Sequence, residues 1–516
     1  MLGERLRSFG CLRLETRRPP AAPRRAGGAK SAIAALRPSW SLIALVGLVL
    51  AATASIARAA DPPPVSFYRD VRPIMQTHCQ GCHQPAKSEG NLTLTSHAGM
   101  LKPGESGEIA VAPGKPEASN LLKVITPNAA GKAEMPKGKE PLSATQIELV
   151  RRWIAAGATD DTPATLTRPY SAEHPPVYHA APVITAIDFA PDDSLLAVSG
   201  YHETFLYKGD GSELVARLVG QSEQITAVAF SPDGKSLAVT GGSPGRLGEL
   251  QVWDVPQRKL RYALAATYDT IYGASWSPDG AKIAFGCGDN TVRAIDAASG
   301  KQVLYQGAHS DWVLDTVFSL DGGHLVSVSR DRSMKLIEVP TQRFVDNITS
   351  ITPGALKGGL AAVARHPQKD ELLIGGADGA PKTYQMFRTQ KRVIGDDFNL
   401  LKAYEAAPGR IYDVAYSPDG GRIVVGSSSD GEGEVRIDEA ATAKTIHRFT
   451  GLGPIYCVTF SSDGNRVASA GFAGLVRIHD AQSGKLLREF CPAPLDSVAQ
   501  AAASPAAGAP AGQTAQ

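Results

Sequence analysis

From Pro182 to Phe490 the chain repeats itself seven times, and this periodicity constrains the fold more than any other feature. The units read "ITAIDFAPDD", "ITAVAFSPDG", "IYGASWSPDG", "VLDTVFSLDG", "LAAVARHPQK", "IYDVAYSPDG" and "IYCVTFSSDG" at their openings. The position held by Pro191, Pro232, Pro278, Leu320, Pro367, Pro418 and Ser462 recurs at steps of 41, 46, 42, 47, 51 and 44 residues. A period of this length fits four short strands per unit. Each "SPDG" is a turn for physical reasons: proline presets the second turn residue and glycine tolerates positive φ at the end. The runs on either side alternate apolar and polar, as strands do. Four-stranded sheets that cannot cover both faces alone pack face to face around a ring, and closing the ring protects every edge. The expectation over 182–490 is an all-β seven-bladed propeller.

The repeats also carry a family resemblance. "VWD" at Val252 to Asp254, "GDNTVRAID" at Gly288 to Asp296 and "GAHSDWV" at Gly307 to Val313 resemble the WD-repeat family. The likeness covers some 300 residues and rests on the number of units more than on any one motif. It departs where the tryptophan of the dipeptide is replaced, as by Ile337 and His479, so the His-Ser-Trp-Asp network of such blades is expected complete in few of them.

A chain of 516 residues exceeds what one hydrophobic core supports, so a second domain is expected. Residues 41–57, "SLIALVGLVLAATASIA", are apolar and uncharged, follow an arginine-rich start and precede "ARAA". This is the pattern of a secretory signal cleaved near Ala60, with residues 1–60 removed and no membrane span left afterwards. The run is slightly short for the alternative, a retained anchor. The whole chain has 53 basic and 51 acidic side chains, of which ten and two lie in 1–60, leaving 43 against 49 and a net charge of −6. That balance lacks the clustered positive charge of a nucleic-acid footprint. Six cysteines in so long a chain do not make a disulfide scaffold, and Cys287, Cys457 and Cys491 read as small buried residues.

Between the signal and the repeats lies a compact segment, 65–160, followed by a linker at 161–181; a low-complexity tail expected to be disordered covers 491–516. The segment opens on "FYRDVRPIMQTHC", with Phe67, Val71, Ile74 and Met75 at helical spacing and Pro73 interrupting the pattern. It closes on "LSATQIELVRRWIAAGA", where Ser143 and Gln146 match a capping box, Ile147, Val150 and Ile154 form an apolar stripe, and Gly157 suits a left-handed stop. The stretch between reads as loop.

"CQGCH", Cys79 to His83, is C-x-x-C-H. Two thiols at this spacing add to the two vinyl groups of one haem, and the adjacent histidine reaches the iron from the same side. A structural zinc site needs four ligands and lacks a second cysteine pair here; a thioredoxin-like pair needs a βαβ setting that is absent. Cys79 and Cys82 are therefore the expected covalent attachment points of one haem c per chain, with His83 as proximal iron ligand.

The segment from Phe67 to Gly157 resembles the short cytochrome c domain of planctomycete-type bacterial proteins, on "VRPIMQTHCQGCH", "GNLTLTS", "VAPGKPEASNLLKVI", "EMPKG" and "LSATQIELVRRWIAAGA". The resemblance implies a small all-α class I cytochrome c fold, with Met135, just upstream of the closing helix, as distal iron ligand. It also implies that Trp153 packs near the opening helix and the haem edge, although a plain core role accounts for it equally well. The sequence departs from the family at Lys137, where a second proline usually follows "MP". Met75, Met100 and His97 are the competing ligands. Lys132, Lys137 and Lys139 surround Met135; solvated loop lysines are the default reading, and steering of an acidic redox partner by complementary charge is the alternative.

The expected function is electron transfer outside the cytoplasm, in the periplasm or cell envelope, with the propeller binding a protein; neither the redox partner nor the bound protein is named by the sequence. The alternative is an enzyme resembling haem-d nitrite reductases, in which a small cytochrome c domain feeds a second cofactor inside a propeller. Those propellers have eight blades and need a histidine reaching the axial channel. Here His202, His309, His324, His366, His447 and His479 fall mostly at turns or blade-network positions.

Overall fold

The computed structural model describes residues 64–84, 87–162, 170–350, 357–393, 395 and 397–496. The expected signal at 1–60, residues 163–169 of the expected linker and residues 497–516 of the expected tail lie outside them.

In the segment expected to be the first domain, the described residues of 64–162 pack around one buried cluster. Phe67–Val71 makes one π-helical turn whose cap, Ser66, accepts the Arg69 N–H at 2.9 Å. Pro73 falls in the first turn of helix α1 (Arg72–His78), where a missing N–H leaves no bond unmade. The proline thus splits the expected opening helix in two. The intervening stretch is less loop-like than its composition suggests. It contains α2 (His97–Met100), α3 (Asn120–Ile125) and a two-stranded ribbon pairing His83–Gln84 with Lys87–Ser88. The all-α expectation for this domain is corrected to that extent. Helix α4 (Ala144–Ala155) has both arms of its capping box, with Ser143 and Gln146 bonding to each other's backbone, and Gly157 follows at φ +98°. Burial of Phe67, Val71 and Met75 against Val150, Trp153 and Ile154 holds the two ends of the domain together.

The repeats fold as antiparallel sheets. Five have four strands each in sequential order, opening on Ile271–Trp276, Val313–Phe318, Leu360–Arg365, Arg410–Tyr416 and Ile455–Phe460. A sixth has seven strands, from Ile187–Phe189 to Lys259–Thr267. Its strand Leu214–Phe230 is 17 residues long; the first part pairs with Tyr201–Lys208 and residues 224–230 pair with Ser236–Ser243. One continuous strand therefore serves as the outer strand of the first repeat and the inner strand of the second. The opening strand of each repeat packs beside that of the next, and Ile455–Phe460 packs beside Ile187–Phe189. All seven opening strands line one channel of about 300 Å³.

Three carboxylates staple neighbouring repeats inside this channel. Asp188, Asp315 and Asp413 each accept a backbone N–H from another repeat, those of Phe230 at 2.8 Å, Val363 at 2.9 Å and Val458 at 2.9 Å. At the opposite ends of these strands the "SPDG" turns carry glycine at positive φ, as at Gly234 (+70°) and Gly420 (+73°).

Two places pack more tightly than the sequence suggests. Tyr178, in the expected linker, forms a parallel bridge with Leu495, in the expected disordered tail. Its hydroxyl donates to Glu203 at 2.8 Å and accepts the Tyr201 N–H at 3.0 Å. Tyr178 and Ala493 belong to one buried cluster with Phe205 and Cys457, so ordered packing runs past 490 to Asp496. The second place is Asp193, which occupies the turn's glycine position with φ +60°. Its carboxylate accepts the N–H groups of Ser462 at 2.8 Å and Asp463 at 2.9 Å, joining the first repeat to the last.

Asp193→Gly removes that clasp and relieves the left-handed backbone at once. Hydrogen bonds to a charged acceptor contribute about 1.5–3 kcal/mol each, and a glycine at positive φ recovers about 1 kcal/mol. The expected result is a net loss of stability, read as a lower urea midpoint; an unchanged or higher midpoint would show that the clasp carries none of the closure.

Candidate functional site

Helix α1 ends at His78, and Cys79 caps it by donating its N–H to the Met75 carbonyl at 2.9 Å. The N–H groups of Cys82 and His83 both donate back to the Cys79 carbonyl at 3.2 Å. One turn thus holds the two thiols and the imidazole together. The chain reaches the same place again much later: the Met135 N–H donates to the Val124 carbonyl at 2.9 Å, tying the methionine loop to the end of α3. The Met135–Pro136 peptide is cis. Cys79, Cys82, His83 and Met135 all line one cavity of about 500 Å³. Its walls are largely apolar, with Leu92, Leu94, Leu121, Val124 and Ile125 among them.

The size of this cavity, in the usual range for cofactor pockets, and a wall more apolar than polar suit a haem. Among the described residues the buried Nδ1 atom of His83 has no hydrogen-bond partner. Burial also pushes the Cys79 thiol up to about 11. A redox dithiol needs the opposite, a depressed thiol pKa.

The competing ligands are placed elsewhere. Met75 and Met100 are fully buried in the domain core and do not line the cavity. His97 bonds through Nε2 to the Ala158 carbonyl at 2.6 Å and packs edge-on to Phe67 and Trp153. Trp153 stacks on Phe67 at 5.2 Å and donates its indole N–H to the Thr159 carbonyl at 3.0 Å. It is a core residue and does not line the cavity.

His78 does line it, with Nε2 3.3 Å from the Gln146 Nε2, and the sequence reading passed over it. So do Glu89, Glu105, Glu108 and Glu134, which with Lys137 and Lys139 are the exposed charged residues at its mouth. Lys132, grouped with those lysines by sequence, does not line the cavity.

None of the six histidines of the repeats lines the channel. His309 bonds to Asp331 at 2.9 Å and to Ser327 at 2.8 Å, the buried His-Asp-Ser part of a blade network whose tryptophan position is Ile337. Cys287 and Cys457 are buried free thiols and Cys491 is a half-buried one. Among the described residues no helix is long and apolar enough to cross a membrane.

Comparison with known proteins agrees with both halves of this picture. Residues 79–138 match the family described as Planctomycete cytochrome C. Residues 212–254, 258–296, 300–338, 398–432 and 443–480 match the WD domain, G-beta repeat. Among curated proteins the chain is 24% identical over 243 residues to Periodic tryptophan protein 2 of Arabidopsis thaliana, covering 47% of this chain and 25% of that protein. It is 25% identical over 213 residues to Eukaryotic translation initiation factor 3 subunit I of Candida glabrata, covering 41% and 48%. It is 28% identical over 146 residues to a Ribosome biogenesis protein WDR12 homolog of Chlamydomonas reinhardtii, covering 26% and 33%. The chain spans at most about half the length of these relatives. Two of these names speak of translation initiation and ribosome biogenesis, and none of the three speaks of redox chemistry.

Proposed function

We propose that this chain, a planctomycete-type cytochrome c domain followed by WD40 repeats, is an exported electron-transfer protein with one covalent haem c, and that its repeats close as a seven-bladed propeller that binds a partner protein. One observation carries the redox reading: a methionine 52 residues beyond His83 lines the same cavity as the two thiols and the imidazole. The haem, when bound, supplies an iron that cycles between ferrous and ferric states. The protein's part is to hold and insulate it. Cys79 and Cys82 would tether the ring through thioethers, and His83 and Met135 would supply ligands to its iron. The leucine-rich wall keeps water from the site, and a thioether ligand favours the reduced state. The scaffold reading of the repeats rests on the seven opening strands around one channel and on the matched WD40 units; such propellers generally bind proteins.

Full-length protein from a host able to attach haem should show a Soret band and a mass one haem above the polypeptide. Bare polypeptide mass and no Soret absorbance would remove the function. A second measurement isolates the distal ligand. Met135→Ala should lower the midpoint potential and open a coordination site to carbon monoxide or imidazole; an unchanged spectrum and potential would assign the sixth position to another residue.

A further inference from the structure

Two imidazoles line the haem cavity: that of His83 and that of His78, the last residue of α1. The second is half-buried and is held from outside the cavity. Gln146, in the first turn of α4 and not itself a cavity wall, places its Nε2 3.3 Å from the His78 Nε2. The amide cannot be turned round, because its Oε1 accepts the Ser143 N–H at 2.9 Å and the Ser143 hydroxyl at 3.1 Å. What faces His78 is therefore an NH2 group, which only donates. The His78 Nε2 accepts from it, and in the neutral ring the proton is left on Nδ1. His78 makes no other hydrogen bond among the described residues. With one lone pair engaged and the other nitrogen protonated, this ring has no free pair to offer an iron. It is a wall of the cavity and not a rival of His83 or Met135.

We infer that Gln146 is a positioning residue of the haem site: through the cap of α4 it holds His78 against the haem as a neutral ring protonated on Nδ1, in both oxidation states of the iron. The inference rests on the haem reading above and concerns the wall where that reading concerns the ligands. A dipole fixed in advance does not reorient when the neighbouring iron changes charge, so it adds little to the reorganisation that electron transfer must overcome. Hydrogen bonds of this kind around a metal site orient its surroundings from one shell further out.

The test uses full-length holoprotein with 15N-labelled histidine, the His78 signals being those lost in His78→Gln. In the wild type the bonded proton should be found on Nδ1, with Nε2 bare, in the ferrous and the ferric protein alike. The ring signals should shift between the two states, because ferric iron is paramagnetic and the ring lies beside it. Gln146→Glu keeps the cap, since Glu serves this position of a capping box as well as Gln does, but sets an acceptor where the NH2 group stood. The proton should then move to Nε2 with the melting temperature of the first domain unchanged, which separates positioning from plain stability. A wild-type proton on Nε2, a proton that stays on Nδ1 alone in Gln146→Glu, or ring signals identical in the two oxidation states would each overturn the inference. Failure of the haem reading is a separate observation, the missing Soret band, and is seen before any histidine signal is recorded.

Discussion

Replacing Cys79 and Cys82 together by serine is expected to yield a full-length protein without covalent haem and with a melted first domain beside folded repeats. The cavity these thiols line has a volume of about 500 Å³. An unfilled apolar cavity costs on the order of 24 cal/mol per Å³, or about 12 kcal/mol here, against the roughly 5–15 kcal/mol that stabilises a whole domain. Water entering through the mouth reduces that figure, but a few kcal/mol suffices to unfold so small a core. The leucines at 92, 94 and 121 then have no ring to pack on, and α3 loses one face. The repeats have their own buried clusters and share none with the first domain. Calorimetry of the wild type should therefore show two transitions, of which the double serine variant retains only the one from the repeats. Persistence of both transitions at unchanged temperature in the haem-free variant would mean that the domain is stable without its ring and that the cavity is not shaped around one.

The parts of this architecture that the chain declares in advance are those in which local chemistry demands a fixed spacing. Glycine at positive φ and proline before it make each "SPDG" legible, and the repeated strand openings announce four-stranded sheets, of which five stand alone while the first seven strands of the repeats join in one. C-x-x-C-H is legible because the two thiols and the imidazole sit on one turn. Met135 is legible through its place before a helix with both caps written in its sequence. What escapes reading is non-local or unpatterned. The Tyr178–Leu495 bridge joins residues 317 apart: "PPVYHA" reads as strand-like, but no periodicity in "CPAPLD" reports the partner it meets. Helix α3 is bounded by Pro113, Pro116 and Pro127, whose density makes six helical residues look like loop. His78 and the glutamates of the mouth belong to the site only because separate loops bring them there. Asp193 breaks the turn rule, and the break is visible in sequence, yet its purpose emerges only when the last repeat is set against the first.

The channel carboxylates make a prediction of unusual sign: between about pH 6.5 and 8.5 the repeats should become less stable as pH rises. Burial pushes Asp188 and Asp315 up to about 7 and Asp413 to about 8, the last also opposed by the charges of the other two. Among the described residues no lysine, arginine or histidine lines the channel; Tyr412 and Tyr456 are its other titratable walls, and Asp413 acts on the buried Cys457 thiol, which burial pushes up. An aspartate in the unfolded chain titrates near about 3.9, so over this range the unfolded state has released protons that the folded state still holds. Stability then declines until the folded carboxyls ionise, by about 2 kcal/mol for Asp413 and about 1 kcal/mol each for the other two. Other groups act in other windows. Serine hydroxyls hold Asp233, Asp279, Asp321 and Asp419 below the usual carboxylate range, so their contribution is lost only as pH falls below about 4. Burial lowers His202, His366 and His479, whose contribution grows with pH but is complete by about 6.5–7. Thermal melting of the repeat transition at pH 6.5, 7.5 and 8.5 (roughly the window of the carboxyls alone) should therefore show a fall of several degrees. Asp413→Asn should flatten that slope, because an amide keeps an oxygen for the Val458 N–H and has no proton to lose. A melting temperature that climbs through this window in the wild type, or a slope the asparagine leaves untouched, would mean that water in the channel already solvates these carboxylates as well as bulk solvent does.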